Sequence, residues 1–307
     1  VDLLILFAIN HIVRMEGKQP TGQKVPCVVR IWRLWRRNEE KRCVAETGIT
    51  AVILAGSRPG VDPLAAAAGV QWKALVPIAG SPMLDHVART LVEHQRIARV
   101  IVMAQEPEAL ADDPKTQWLR AEPKIAFHAS GAGISQSLLD WLEAHPDSLP
   151  VLLTTADSVL LSPEMIDAFL ASVGEADIAA AMVERDVLMR VYPESRRTWL
   201  KFRAGAWSGA NLFWLGGENT NRALQKWREI EQDRKKGWKI VLAFGPGLLI
   251  AAALRLLTIH QAIARAGRRL GINARIVPMP FAEACIDADK PEDIALIEQI
   301  IAQRQRP

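Results

Sequence analysis

From Ile49 to the end of the chain, short apolar runs alternate with helix-patterned segments, and this alternation limits the fold more than any other feature. Strand-like runs fall at 50–54, 74–78, 99–103, 124–127, 150–154 and 177–183, with helical segments at 82–96, 134–145 and 163–173. Ala51 to Leu54 and Val151 to Leu153 read as buried strands. Such an order predicts one α/β domain: a single Rossmann-like, mostly parallel sheet with helices on both faces. Pro82 and Pro163 suit first helical turns, and Ser162 suits a cap. After Val183 the pattern changes. Residues 198–215 alternate and contain Gly, which predicts a small hairpin or sheet insertion. A charge-rich helix at 219–236, a helical pair at 246–256 and 258–269, a strand at 272–278 and a closing helix from Pro291 to about Gln303 complete the reading.

Composition separates a tail from a domain. Residues 1–47 hold nine Lys/Arg and five Asp/Glu, whereas the other 260 residues hold 29 of each. The basic balance therefore belongs to the tail and says nothing about the partners of the main domain. The tail interleaves Trp and Arg in VVRIWRLWRRNEEKR, a pattern that could lie on a membrane surface or nucleic acid. It lacks clear caps, follows KQPTGQKVP, and the chain starts on Val. Residues 1–47 are therefore read as a disordered or non-native extension, dispensable to a domain spanning 48–307, and no nucleic-acid partner is expected. Cys27, Cys43 and Cys285 lie far apart with neither zinc-ligand nor redox spacing, which suits reduced thiols in a cytoplasmic protein. No run reaches the roughly 18 apolar residues of a membrane span.

The segment ITAVILAGSRPGVDPLAAAAGVQWKALVPIAGSPML, residues 49–84, carries the first chemistry. A strand ending in a small-residue loop, Leu54-Ala55-Gly56-Ser57, offers backbone N–H groups to a phosphate because nothing bulky blocks the approach. Arg58 and Lys73 add the positive charge that a triphosphate requires. Lys73 follows an Ala/Gly stretch, residues 65–69, read as flexible, and precedes a buried strand. A carboxylate site follows in TTADSVLL. There Asp157 falls just past the C-terminal end of a strand, the edge at which open α/β sheets bind ligands. A turn or cap role would also place an Asp there. CIDADKPEDIALIEQ adds Asp287 and Asp289. Pro291 as a helix start with acids in the first turn accounts for Glu292 and Asp293, so neither is assigned to the site. Around the hairpin, Arg196, Arg197, Lys201 and Arg203 form a cationic cluster that suits a phosphorylated acceptor. It would equally suit a solvated face.

These motifs, in this order, resemble the nucleotidyltransferases with a glycosyltransferase-A-like fold. They include the sugar-phosphate nucleotidylyltransferases and the molybdenum-cofactor guanylyltransferases. KALVPIAGSPML fits the pattern KxLxxVxGxPML closely. LAGSRPG departs from LAGGxGxRM, lacking the second Gly and the Arg-Met pair. The resemblance implies transfer of an NMP from an NTP to a phosphorylated sugar, polyol or cofactor, with release of pyrophosphate. It implies Lys73 and Arg58 in catalysis, Leu54 to Ser57 and Lys73 on the nucleotide, and Mg2+ on Asp157 and Asp289, with Asp287 in reserve. Two Asp two apart on an extended segment point the same way, which fits two carboxylates facing one ion. Gly131, Gly133 and Ser135, in HASGAGISQSL, stand where the family has a loop touching the base, although Gly and Ser before a helix also cap it. Asn211 in SGANLF is the counterpart of an acceptor-side feature, beside Lys201 and Arg197. A nucleotide-sugar-dependent glycosyltransferase and a non-catalytic nucleotide-binding regulator are the rivals. ADS at 156–158 is not the Asp-x-Asp motif of the first, and the presence of Lys73, Asp157 and Asp289 argues against the second. Base, acceptor and oligomeric state are not specified by the sequence.

Overall fold

In the computed structural model the described residues are 48–57, 60–131, 133–217, 219–232 and 245–305. The 1–47 extension, Arg58 and the end of the charge-rich helix lie outside them, as does the side chain of Ser135.

Ten strands are described: β1 (Ile49–Leu54), β2 (Pro77–Ile78), β3 (Ser81–Pro82), β4 (Ile97–Ala104), β5 (Ile125–Ala129), β6 (Val151–Thr155), β7 (Ile178–Glu184), β8 (Leu200–Phe202), β9 (Gly205–Leu215) and β10 (Ala274–Pro278). The helices are α1 (Pro63–Ala68), α2 (Met83–Glu93), α3 (Ile134–Ala144), α4 (Pro163–Ser172), α5 (Arg185–Val191), α6 (Thr220–Gln232), α7 (Pro246–Ala253), α8 (Ile259–Leu270) and α9 (Pro291–Arg304). The main sheet runs β5-β4-β1-β6-β9-β7-β10, with β8 paired to β9. All of its pairings are parallel except those of β9, which is antiparallel to β6, β7 and β8. The hairpin expected at 198–215 is thus present as β8–β9. Its long second arm runs on into the middle of the sheet, so six parallel strands end at one edge.

Both faces of the sheet are covered, which is why its inner strands are continuous apolar runs. Ala51 and Ile53 face the cluster built with Leu84, Val87 and Leu91 of α2 and Ile166 and Phe169 of α4. Val52, Ile101 and Met103 face Leu138, Trp141 and Leu142 of α3 and Leu224 of α6. A third cluster joins Phe202 and Trp207 of the hairpin to Ile259 and Ile263 of α8. Local chemistry sets the helix ends. The Ser162 hydroxyl accepts from the Met165 N–H, and α8 opens on a capping box between Thr258 and Gln261. No helix among the described residues is long and apolar enough to cross a membrane.

Two expectations are corrected. Residues 74–78 are not one strand: Lys73–Leu75 is a single 3-10 turn, closed by Leu75 N–H to Trp72 C=O (2.9 Å) and Val76 N–H to Lys73 C=O (3.0 Å). Only Pro77–Ile78 pairs, in a two-residue ladder with Ser81–Pro82. Its turn, Ala79-Gly80, has both φ positive (48° and 84°), the backbone of a tight hairpin that glycine accepts readily. The stretch 65–69 is not a flexible connector. Asp62 accepts from the N–H groups of Leu64 (2.9 Å) and Ala65 (3.1 Å), Pro63 sets the first turn, and Gly69 at φ 67° ends α1. Four consecutive Ala with a cap on each side form a helix because Ala has the highest helix propensity.

Candidate active site

Leu54 is level with Met103 on one side and Thr155 on the other, so the ends of β1, β4 and β6 are flush. The loops that leave them face one another across the sheet edge. Asp157 sits two residues beyond β6. Its Oδ1 accepts from the Thr155 hydroxyl at 2.5 Å, and Thr155 also bonds the Ser158 hydroxyl at 2.9 Å. Its Oδ2 accepts from Lys73 Nζ at 2.7 Å. The segment 287–289 is docked alongside, where Ala288 N–H donates to the Asp157 carbonyl at 3.1 Å. Asp289 Oδ1 accepts from the same Lys73 ammonium at 2.6 Å. One nitrogen therefore bridges two carboxylates that are 132 residues apart in sequence.

The electrostatics follow from that bridge. Lys73 is largely buried, and burial alone would lower its pKa. Asp157 and then Asp289, by charge and by hydrogen bond, outweigh burial and hold the ammonium above its ordinary value. Asp287 has different partners. Arg197 Nη1 donates to its Oδ1, and Asn211 Nδ2 donates to its Oδ2 at 3.3 Å. Burial, then the charges of Asp289 and Asp157, push its carboxyl up to about 6 against the opposing Arg197. Asp287 and Asp289 do not point the same way as expected. Asp289 N–H closes back on the Asp287 carbonyl at 3.2 Å, so the chain is bent there rather than extended.

The acceptor-side candidates separate. Asn211, at φ 45° in β9, reaches the acidic segment through Asp287. The Arg197 side chain is only 7% exposed and is divided between Asp287 and Asp293 (2.8 Å), so it ties the approach to β8 onto the 287–293 segment rather than facing an open site. Its Nε is buried without a hydrogen-bond partner. Lys201 is exposed and pairs with Ala206, at the other end of β9 from Leu215 and five residues from Asn211. Glu292 and Asp293 do open α9, but Asp293 also anchors Arg197, a contact the sequence does not reveal.

The loop after β1 is held from β4. Ala55 N–H donates to Met103 C=O at 2.9 Å, and both main-chain groups of Ser57 bond the side chain of Gln105. Beyond β5, Ser130 N–H donates to Ala104 C=O at 2.7 Å, which brings Ser130 next to Gln105. The buried Ser137 hydroxyl accepts from Gly131 N–H (2.9 Å) and donates to Gly133 C=O (2.8 Å). Sequence reasoning misses Thr155, Gln105 and Ser137. A hydroxyl two residues before the Asp in TTAD is the only local signal for any of them. Among the described residues, no group of three His, Cys, Asp or Glu side chains is arranged as a metal cage. Asp157 and Asp289 nevertheless offer two hard oxygen donors that already converge on one cation, the Lys73 ammonium. That donor set fits magnesium, which takes one or two carboxylates together with phosphate and water.

Known proteins resemble this chain in sequence and fold. The MobA-like NTP transferase domain matches residues 51–265. A hypothetical transferase from Thermus thermophilus superposes with a TM-score of 0.66 at 26% identity, covering 80% of this chain and 99% of that one. The bifunctional protein GlmU of Alkalilimnicola ehrlichii is 34% identical over 118 residues, 37% of this chain and 23% of the relative. GlmU of Xanthomonas campestris pv. campestris is 33% identical over 113 residues, 36% and 23% of the two chains. The matching stretch thus spans less than a quarter of each curated relative. The match to the domain covers well over half of the chain and takes in β1, Lys73, Asp157 and the hairpin, and on it the chain belongs to the MobA-like NTP transferase domain family.

Proposed function

We propose that this protein transfers a nucleoside monophosphate from an NTP to a small phosphorylated acceptor. An acceptor phosphate oxygen attacks the α-phosphorus, the bond to the bridging oxygen of the β-phosphate breaks, and pyrophosphate leaves. The observation that carries this reading is the single ammonium shared by Asp157 and Asp289 at the edge where the first loop ends. Such a reaction needs positioning and charge neutralisation rather than a protein nucleophile. Lys73 stays charged across the working pH range and supplies a cation for the α-phosphoryl group and the departing pyrophosphate. Leu54 to Ser57 and the Gly131–Gly133 loop flank the nucleotide, with Arg58 and Ser135 assigned from their place in the motifs. Asn211 faces the acceptor, and Lys201 offers a cation farther along the hairpin. Asp157 and Asp289 would hold magnesium, which would supply charge neutralisation for the triphosphate. A cytoplasmic setting is part of this reading, in keeping with cysteines that lack disulfide, zinc or redox spacing.

The test is a screen of the four NTPs for thermal stabilisation with magnesium, followed by sugar, polyol and cofactor phosphates for turnover. The reading expects one NTP to stabilise the protein and one acceptor class to release pyrophosphate. Release of a nucleoside diphosphate from a nucleotide sugar, or binding with no turnover, would contradict it.

A further inference from the structure

The loop after β1 is held at Ser57 by one side chain that the nucleotidyl-transfer reading does not use. Gln105 is the first residue beyond β4. Its Oε1 accepts from Ser57 N–H at 3.0 Å, and its Nε2 donates to Ser57 C=O at 2.9 Å. A primary amide thus meets both main-chain groups of one residue, as a neighbouring strand would. The two bonds together fix which end of the amide is oxygen. Gly56 makes room for it. A Cβ there would stand 3.0 Å from Oε1 and 3.3 Å from Nε2 of Gln105, so the glycine serves this contact as well as any approach of phosphate. The residue before Gln105 binds the other loop, through Ala104 C=O and Ser130 N–H. Gln105 is therefore the junction between the two loops that flank the nucleotide.

We infer that Gln105 is a positioning residue for the NTP, presetting the Ala55–Ser57 loop in the conformation that receives it. Gln105 is exposed, and hydrogen bonds in water are individually weak. The pair acts by restricting the loop before binding, which lowers the ordering cost of association. This rests on the nucleotidyl-transfer reading for its kinetic consequence and on the free protein for its structural one.

The experiment compares wild type, Gln105→Leu and Gly56→Ala. In the free protein, hydrogen exchange of the Ser57 amide should be about tenfold faster in Gln105→Leu, with β1 unchanged. In turnover, Gln105→Leu should raise the KM for NTP by about tenfold, with kcat within about twofold and the acceptor KM unchanged. In Gly56→Ala the new Cβ presses on the amide and displaces it by a few tenths of an ångström, so the KM should rise in the same direction but by less than in Gln105→Leu. Unchanged Ser57 exchange, or a loss confined to kcat, in Gln105→Leu would overturn the inference. Absence of turnover in wild type would count against the transfer reading alone, because the exchange measurement needs no catalysis.

Discussion

At the scale of single residues, Lys73 is the group on which the account depends. Its ammonium lies 2.7 Å from Asp157 and 2.6 Å from Asp289, so its removal takes away the one cation that the two carboxylates are seen to share. Lys73→Ala should cut turnover by roughly 10²–10³, the cost of losing one preorganised contact to developing charge. It should also destabilise the free protein. Asp289 is more than half exposed, so screening reduces the penalty to on the order of 1–2 kcal/mol, a fall of a few degrees in Tm without divalent ion. Millimolar magnesium should restore most of that loss in Lys73→Ala and change wild type less; melting curves with chelator and with magnesium read this directly. Asp157 is legible in the sequence from its place just past a buried strand, and Lys73 and Asp289 from the motifs KALVPIAGSPML and CIDADKPED that carry them. The partners of Asp287 are not legible: Arg197 lies 90 residues away, and only the fold puts its guanidinium there.

At the scale of elements, short-range chemistry is legible and neighbour order is not. Continuous apolar runs mark β1, β4 and β6 and the Ser162-Pro163 start marks α4, since burial on both faces and N-cap preference act locally, whereas Pro82 belongs to β3 and precedes α2 rather than opening its first turn. That β9 lies between β6 and β7, antiparallel to both, is set by which strand edges remain open after the first crossovers. No local pattern records this. The turn at Lys73–Leu75 is hidden for a different reason: its apolar residues suit a buried turn and a buried strand equally. In α1 the decisive signal is Asp62-Pro63 ahead of the alanines. Asp62→Ala removes the side-chain acceptor of two N–H groups and should cost about 1 kcal/mol, read from denaturant midpoints. Because α1 leads directly to Lys73, the same change should also raise the NTP KM. An unchanged midpoint would mean that α1 is held by packing of Leu64 and Ala65 alone.

At the scale of the whole molecule, the six parallel strands deliver their loops to one edge, and the antiparallel β9 brings Asn211 back to it from the other direction. In the proposed reading nucleotide and acceptor meet at Asp157, beside which the 287–289 segment is docked. The central claim is that this edge moves a nucleoside monophosphate from an NTP to a phosphorylated acceptor under the control of Asp157. The most direct measurement uses NTPs labelled at the α-phosphorus, incubated with magnesium and a pool of sugar, polyol and cofactor phosphates, comparing wild type with Asp157→Asn. The account predicts label in a new pyrophosphate-linked product, one pyrophosphate released per label transferred, and a loss of at least about 10²-fold in the variant. Label appearing as free nucleoside diphosphate, or undiminished transfer by a folded Asp157→Asn protein, would contradict it.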